Sequence, residues 1–201
     1  GLDIKQTTIA IEGFGNVGEF VLKHLVGMGA KIVAITDING GVYDKNGLDE
    51  KMLLDLKRQK KSPAEYPGGT KIETGQIFGL PVDVLIPAAV TDSINDKNKN
   101  EIKAKIIVEG ANIPMKESVE EELFRKGILV VPDFVANAGG VISSYAEYRG
   151  YSHEKMFRLV ERKIKNATTA VLKRSLKENR NPRAVAMEIA VKRVEEKSEN
   201  S

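Results

Sequence analysis

The chain of 201 residues contains no cysteine and no tryptophan, and it has only two histidines. Without cysteine there is no disulfide, no thiolate nucleophile and no thiolate metal site. His24 and His153 have no ligand-type partner at a metal-binding spacing, so no metal site is expected. No apolar run approaches the roughly 18 residues of a membrane span, and no signal peptide opens the chain. A soluble, cytoplasmic protein with no membrane contact is therefore expected. An excess of one charge is missing too: 31 Lys and Arg stand against 28 Asp and Glu. The two signs are interspersed, which leaves no electrostatic footprint for nucleic acid. The densest basic run, LKRQKKS from Leu56 to Ser62, reads as a solvated helix end with cations near its C-terminus.

What is present is globular. A chain of this length buries a core without staples, as one domain or one domain with appendages. Thr8 to Ile11 reads as a strand and Asn16 to Met28 as a helix, with Val17, Phe20, Val21, Leu25 and Met28 on one apolar face and Gly29 ending it. Lys31 to Thr36 is β-branched and apolar, a strand buried on both faces. Asp37 to Gly47 is turn chemistry, with Asn-Gly at Asn39 and Asn46. A helix is expected over Leu48–Lys60, a loop at Pro63–Gly69, and strands at Val82–Ile86, Lys105–Glu109 and Ile128–Val131. A helix over Glu117–Lys126 precedes the last of these. Beyond Ser152 no strand is expected. Met156, Val160, Ile164, Ala167 and Val171 line one face of a long helix, and Asn181-Pro182 caps a second one before the polar tail Glu195–Ser201.

Strands alternating with helices predict an α/β, Rossmann-like, doubly wound and mostly parallel sheet with helices on both faces, followed by C-terminal helices. The expected division is residues 1–151 for a dinucleotide-binding domain and 152–201 for the closing helices.

Gly13-Phe14-Gly15-Asn16-Val17-Gly18 fits G-x-G-x-x-G, and it follows a strand and opens a helix as that motif requires. Gly13 permits the tight turn, Gly15 lets a pyrophosphate approach the backbone, and Gly18 lets helix and strand pack closely. The helix N-terminus offers free N–H groups and a positive dipole end to phosphate. Asp37 follows Gly18 by nineteen residues, at the end of the second strand, where a carboxylate meets the adenine ribose. The alternatives are a tight strand–helix turn with an unrelated aspartate, or another cofactor on the same fold, such as S-adenosylmethionine. Ligands of open α/β sheets sit beyond the carboxyl ends of the strands. Those ends carry PAA (Pro87–Ala89), EGAN (Glu109–Asn112) and PDFVANAGGV (Pro132–Val141). Asn112 and Asn137 can donate and accept, which suits ribose hydroxyls or a carboxamide, although turn and cap chemistry is an equal reading.

Six segments in order, IAIEGFGNVG, ITDINGGVYDKNGLD, VDVLIPAA, AKIIVEGAN, GILVVPD and ANAGGVISSYAEY, resemble the glutamate dehydrogenase family. The match spans essentially the whole chain and is to that family's dinucleotide-binding domain. The resemblance implies that Phe14, Asn16 and Val17 sit over the pyrophosphate, and Asp37 and Ile38 by the adenosine ribose. It implies that Ala88, Ala89 and Asn112 lie along the nicotinamide ribose, that Asn137 holds the carboxamide, and that Val141 and Ser144 face the substrate side chain. Ser144 would donate to the γ-carboxylate of glutamate. Related leucine and valine dehydrogenases carry an apolar residue there. The alternative for Ser144 is a small polar residue on a loop-to-helix surface.

The reaction so implied is oxidative deamination of L-glutamate to 2-oxoglutarate and ammonia, with hydride passing to NAD or NADP. The family's acid–base lysine and aspartate belong to a preceding domain outside these 201 residues. No catalytic residue is therefore assigned here, and this chain alone should bind cofactor without turnover. GGTKIE (Gly68–Glu73) superficially resembles the lysine motif, but Lys71 reads as the start of a strand. Asp37 favours NAD, with Lys45 the one nearby cation able to meet a 2′-phosphate. The native enzyme is expected to be a homo-oligomer through its other domain, this chain itself being monomeric. Two rivals stand beside this reading: another amino-acid dehydrogenase, and a free-standing dinucleotide sensor.

Overall fold

The structure, a computed structural model, describes residues 3–199 apart from the side chain of Lys197. Its centre is a seven-stranded sheet: β1 (Thr8–Glu12), β2 (Lys31–Asp37), β3 (Gly40–Tyr43), β4 (Thr70–Ile72), β5 (Val84–Pro87), β6 (Ile106–Val108) and β7 (Leu129–Val131). The spatial order is β4-β3-β2-β1-β5-β6-β7. β2, β1, β5, β6 and β7 are mutually parallel; at one edge β3 runs against them, and β4, antiparallel to β3, returns to their direction.

Side-chain alternation sorts the core into two layers. Ile9, Ile11, Ile32 and Ile35 face one side, under Leu22 of α1 (Asn16–Gly27) and Leu53 of α2 (Glu50–Arg58); a shift in the β1–β2 register, at Ile9–Ala10, interrupts the alternation and lets Ile32 and Ile35, three residues apart, share that side. Ala10, Ala34, Leu85 and Ile107 face the other, under Val119 and Leu123 of α3 (Glu117–Arg125) and the loop residues Ile94 and Met115. Val131 continues the first layer outward, beneath α4 (Asp133–Ala136), α6 (His153–Glu178) and α7 (Pro182–Ser198), through Val135, Val171, Val185 and Ala186. α5 (Gly139–Tyr148) joins α4 to α6.

The structure corrects several expectations. The Asp37–Gly47 turn contains strand β3, because Ile38-Asn39 forms a tight hairpin that Gly40 closes with φ +109°. α4 and α5 occupy a stretch read only as a strand end, where small residues hide helical periodicity. Pro63–Glu65 forms a short 3-10 turn capped by Ser62 rather than plain loop. α7 continues through Ser198, so the polar tail is helical to that point; Asn200 and Ser201 lie outside the described residues. Val17, Phe20 and Met28 are exposed, contrary to the apolar face expected of α1. Val21 and Leu25 of that face do pack against the core, together with Val26, while Gly18 and Leu22 make the buried contact with the sheet. The cause is Gly18, where a Cβ would fall 1.9 Å from the Gly13 carbonyl oxygen. So close an approach turns the glycine line of the helix inward and the Val17 line outward. The remaining strands and helices lie where they were expected, with ends shifted by one or two residues. Asn181 caps α7 by accepting from the Arg183 N–H, with Pro182 in the first turn.

Candidate functional site

The sheet reverses its winding between β1 and β5. From β1 the chain crosses to β2 on one side; from β5 it proceeds to β6 and β7 on the other. The crevice beyond their carboxyl ends is where such sheets bind ligands. The glycine loop fills that point. Gly13 holds φ +99°, and a Cβ there would sit 2.8 Å from Cβ of Ala89, so the β1 and β5 ends touch. Gly15 is exposed, with no atom within 4 Å of a Cβ built on it. Gly18 carries the helix contact described above. Each glycine thus has a different physical reason. No side chain caps α1, so its first-turn N–H groups stand beside the open space at Gly15. Asn16 and Val17 are exposed at that helix start, whereas the Phe14 ring turns into the core. Phe14 therefore offers a ligand its backbone only.

Lys57 belongs to the run read as a solvated helix end, and the structure gives it a second role. Its ammonium donates to the carbonyls of Phe14 (2.7 Å) and Gly15 (2.6 Å) and lies 4.8 Å from the Phe14 ring centroid. Glu19 of α1 completes the clasp at 3.1 Å. Hydrogen bonds from Lys23 and Lys57 hold the Glu19 carboxyl below its ordinary range. Lys57 and the loop lie 42 and 43 residues apart, so no local pattern announces the contact.

At the adenosine end, Asp37 is half-buried and Ile38 is 91% exposed at the hairpin tip. Asp37 Oδ1 accepts from the Asn39 N–H and from the Ser62 hydroxyl, both at 2.8 Å. The basic run Leu56–Ser62 therefore ends beside Asp37, which the sequence did not disclose. Lys45 is on the wrong side: β3 runs antiparallel to β2, and Tyr43 already pairs with Ala34, near the middle of β2 and on the way to its amino end. Lys45 thus lies toward the amino end of β2, away from Asp37 at its carboxyl end, and is not placed to serve a ligand there. Lys71 sits within edge strand β4, opposite Val42, three strands from β1.

On the other side of the switch point, Ala88 is buried and Ala89 exposed. Asn112 and Asn137 are brought together: Asn137 Nδ2 donates to Asn112 Oδ1 at 2.8 Å. Val141 (78% exposed) and Ser144 share one face of α5 at i, i+3 spacing. Ser144 Oγ donates back to the Gly140 carbonyl at 3.1 Å. Neither residue lines the apolar groove of about 770 Å³ that opens between α1 and the α5–α6 pair, whereas Val17, Gly110 and Asn137 do.

Beneath the two asparagines lies a buried ionic cluster that sequence reasoning missed. Arg183 of α7, its side chain 13% exposed, gathers three carboxylates from three other parts of the chain. Nη2 donates to Glu109 Oε2 and to Asp133 Oδ1, each at 2.9 Å, and Nε donates to Glu120 Oε1 at 2.6 Å. Glu109 Oε2 also accepts the Asp133 N–H (2.7 Å), and Asp133 Oδ2 accepts the Ile113 N–H (2.9 Å). Burial foremost, and then the neighbouring Glu120, pushes the Glu109 carboxyl up to about 8. Burial likewise raises Glu120. For Asp133 burial acts upward as well, but the bonds from Ile113 N–H and Arg183 outweigh it and the carboxyl lies below its ordinary range. A fourth buried acid, Glu12 at the end of β1, is raised by burial. Among the described residues no cluster of His, Cys, Asp and Glu could hold a metal ion, and no helix is long and apolar enough to cross a membrane.

A doubly wound sheet with a phosphate-type glycine loop at its switch point defines a dinucleotide-binding fold. The family can be named as well. Residues 1–201 match the Glutamate/Leucine/Phenylalanine/Valine dehydrogenase family, and the chain belongs to it. It is 44% identical over 201 residues to the glutamate dehydrogenase of Aeropyrum pernix, covering 95% of this chain and 48% of that protein. It is 39% identical over 199 residues to the NADP-specific glutamate dehydrogenase of Saccharolobus shibatae, covering 95% of this chain and 47% of that one. Among solved structures, hetero-hexameric glutamate dehydrogenase from Thermus thermophilus in its leucine-bound form superposes with a TM-score of 0.84 at 28% identity, covering 98% of this chain and 48% of that one. The chain thus spans about half the length of the curated relatives it matches.

Proposed function

We propose that this chain is the nicotinamide dinucleotide-binding half of a glutamate dehydrogenase, and that the 201 residues alone bind cofactor without turnover. One observation carries the reading: three glycines at the β1–β5 switch point each meet a different requirement of pyrophosphate binding, with an uncapped helix start beside them. The family relation supplies the reaction class. A bound nicotinamide would accept the hydride from the substrate Cα. The residues here would bind and orient: Asn16, Val17 and the loop backbone at the pyrophosphate, Asp37 and Ile38 at the adenosine ribose, Ala88, Ala89 and Asn112 along the nicotinamide ribose. Asn137 would fix the carboxamide, while Val141 and Ser144 would read the substrate side chain. The acid–base lysine and aspartate would come from the other half, as would the contacts of a homo-oligomer; the hetero-hexameric Thermus relative supports assembly of the whole enzyme, though from unlike subunits.

Asp37 supports NAD over NADP, because a carboxylate accepts from a 2′-hydroxyl and repels a 2′-phosphate. The NADP-specific relative and the Lys60–Lys61 pair next to Ser62 make NADP the competing ligand. Isothermal titration of the chain with NAD and NADP tests both points. Binding of NAD, lost in Gly15→Val while the fold persists, is the expected result. A Gly15→Val protein that binds as tightly as the parent would move the site elsewhere.

The substrate assignment is tested in the enzyme rebuilt with its other half. Ser144→Val should lower kcat/KM for glutamate by about ten- to a hundredfold, the worth of a hydrogen bond to a charged group. Relative activity on norvaline should rise. An unchanged glutamate-to-norvaline ratio would show that Ser144 does not read the side chain.

A further inference from the structure

The Arg183 cluster lies on no cofactor-facing surface, yet two of the three chain segments it holds, those of Glu109 and Asp133, lead to one. Glu109 opens EGAN, three residues before Asn112, and Asp133 begins α4, whose C-terminal cap is Asn137. The Asp133 side chain fixes Ile113, which sits beside Asn112 with φ +47°, a conformation a β-branched residue adopts only when its surroundings hold it there. The Asp133 carbonyl accepts the Asn137 N–H at 2.7 Å. Arg183 therefore ties both loops of the Asn112–Asn137 pair to one guanidinium on the C-terminal helix.

With every carboxyl ionised, the charges of the cluster do not balance. Arg183 faces Glu109 at the end of β6, Glu120 on α3 and Asp133 on α4; Glu121, next along α3, is engaged at the rim by Asn181 and Arg125. Three carboxyls thus share one guanidinium. Two oxygens in the cluster, Glu109 Oε1 and Glu120 Oε2, are buried without a partner, and their carboxyls lie within hydrogen-bonding reach of each other. Two acceptors in contact become a bonded pair when one proton lies between them.

We propose that Arg183 is a positioning residue for the nicotinamide side of the site, acting through a cluster completed by one proton shared between Glu109 and Glu120, so that loss of this proton weakens nicotinamide binding. The inference rests on the dinucleotide reading of the site. Deprotonation would leave two like charges buried in contact, and their repulsion would act on EGAN and on α4. The glycine loop and Asp37, on the far side of the switch point, touch no member of the cluster and should not respond.

The test is titration of the whole chain with NAD, and separately with ADP-ribose, which lacks the nicotinamide, between about pH 7 and about pH 9.5. NAD affinity should fall as the shared proton is lost, by as much as about tenfold one unit above the midpoint, the limit for a single required proton. ADP-ribose affinity should stay flat. Glu120→Gln supplies an amide donor in place of the proton, so its NAD affinity should be independent of pH over that range. Arg183→Lys keeps the charge but loses the planar fork; it should weaken NAD and leave ADP-ribose unchanged. A parent profile that is flat, or equally steep for both ligands, overturns the proposal without need of any variant. So does a Glu120→Gln profile that follows the parent's. If neither NAD nor ADP-ribose binds at any pH, the dinucleotide reading itself fails and this inference with it.

Discussion

The two sides of the switch point are held by opposite means. On the adenosine side the support is shallow: Lys57 is a quarter exposed, bonds to backbone carbonyls, and borrows its counter-charge from Glu19 on the neighbouring helix. The shape of the loop comes mainly from its glycines. On the nicotinamide side the loops contain no repeated glycine pattern, and a buried guanidinium with three carboxyls keeps them in place. The first side is shaped by what its residues lack, a Cβ at three positions. The second is shaped by a contact between residues 50 to 74 positions apart. Local sterics tolerate change around them, whereas a buried charge cluster fails when one member is removed.

Variants can break that contrast or sharpen it. The largest effect is expected from Arg183→Met, which strands three acids in a buried place; denaturant unfolding should show a loss of about 3–5 kcal/mol. A loss under about 1 kcal/mol would mean that the cluster is no stronger than a surface pair. Next come the glycines. Gly18→Ala drives a methyl into the Gly13 carbonyl, and an overpacked contact of this kind destabilises by about 1–3 kcal/mol. Gly15→Ala, placed in open space, should leave the melting temperature nearly unchanged. Equal losses from the two substitutions would erase the distinction between a packing glycine and an approach glycine.

The pH dependence of stability is smaller in effect and opposite in sign to ordinary acid denaturation. A carboxyl raised by folding stabilises fully below its unfolded value of 4.5, and that stability declines as pH rises toward its folded value of about 8 for Glu109. Glu120 and Glu12 are raised as well and act in the same direction. The thermal midpoint should therefore fall by several degrees from about pH 5 to about pH 8, and Glu120→Gln should flatten the slope. A midpoint that rises across this window would show that the acids are not held neutral. The smallest effect belongs to Lys57→Met. Part of the clasp is solvated, so unfolding should register about 1 kcal/mol or less, with dinucleotide binding weakened a few-fold. A loss as large as that of Arg183→Met would make the two sides alike.

The same contrast explains what the sequence disclosed. β1, the glycine loop, α1 and β2 are adjacent in the chain, and their pattern rests on local rules, so strand, turn, helix and Asp37 were legible together. The reasons for Gly13, Gly15 and Gly18 were legible too, because each follows from one missing Cβ. The buried face of α1 was misread for a related reason: periodicity counts Val17 and Phe20 as core, but Gly18 draws the helix so close that its glycine line faces inward. β3 was hidden in turn-forming residues, and α4 and α5 in small ones. Lys57, Ser62 and Arg183 were beyond reach, since each meets its partner across 25 to 74 residues. Arg183 gave one faint signal. It stands just inside a well-capped helix start, and Glu109 and Asp133 each adjoin an apolar strand segment where a carboxylate needs a partner; Glu120, in the run Glu120-Glu121-Glu122, gave no such signal.

The edges of the sheet carry a consequence for how this protein meets other copies of itself. Both outermost strands, β4 and β7, are three residues long. β4 is preceded by Pro67-Gly68-Gly69 and holds an exposed Lys71 at its middle position, which discourages an incoming strand. β7 packs its Val131 under Val185 and Ala186 of the last helix. Neither border is a long, flat template for continued strand pairing. Growth of the sheet across a molecular boundary is therefore disfavoured at both ends. Ordered assembly would then draw on helices and loops rather than on extension of the sheet.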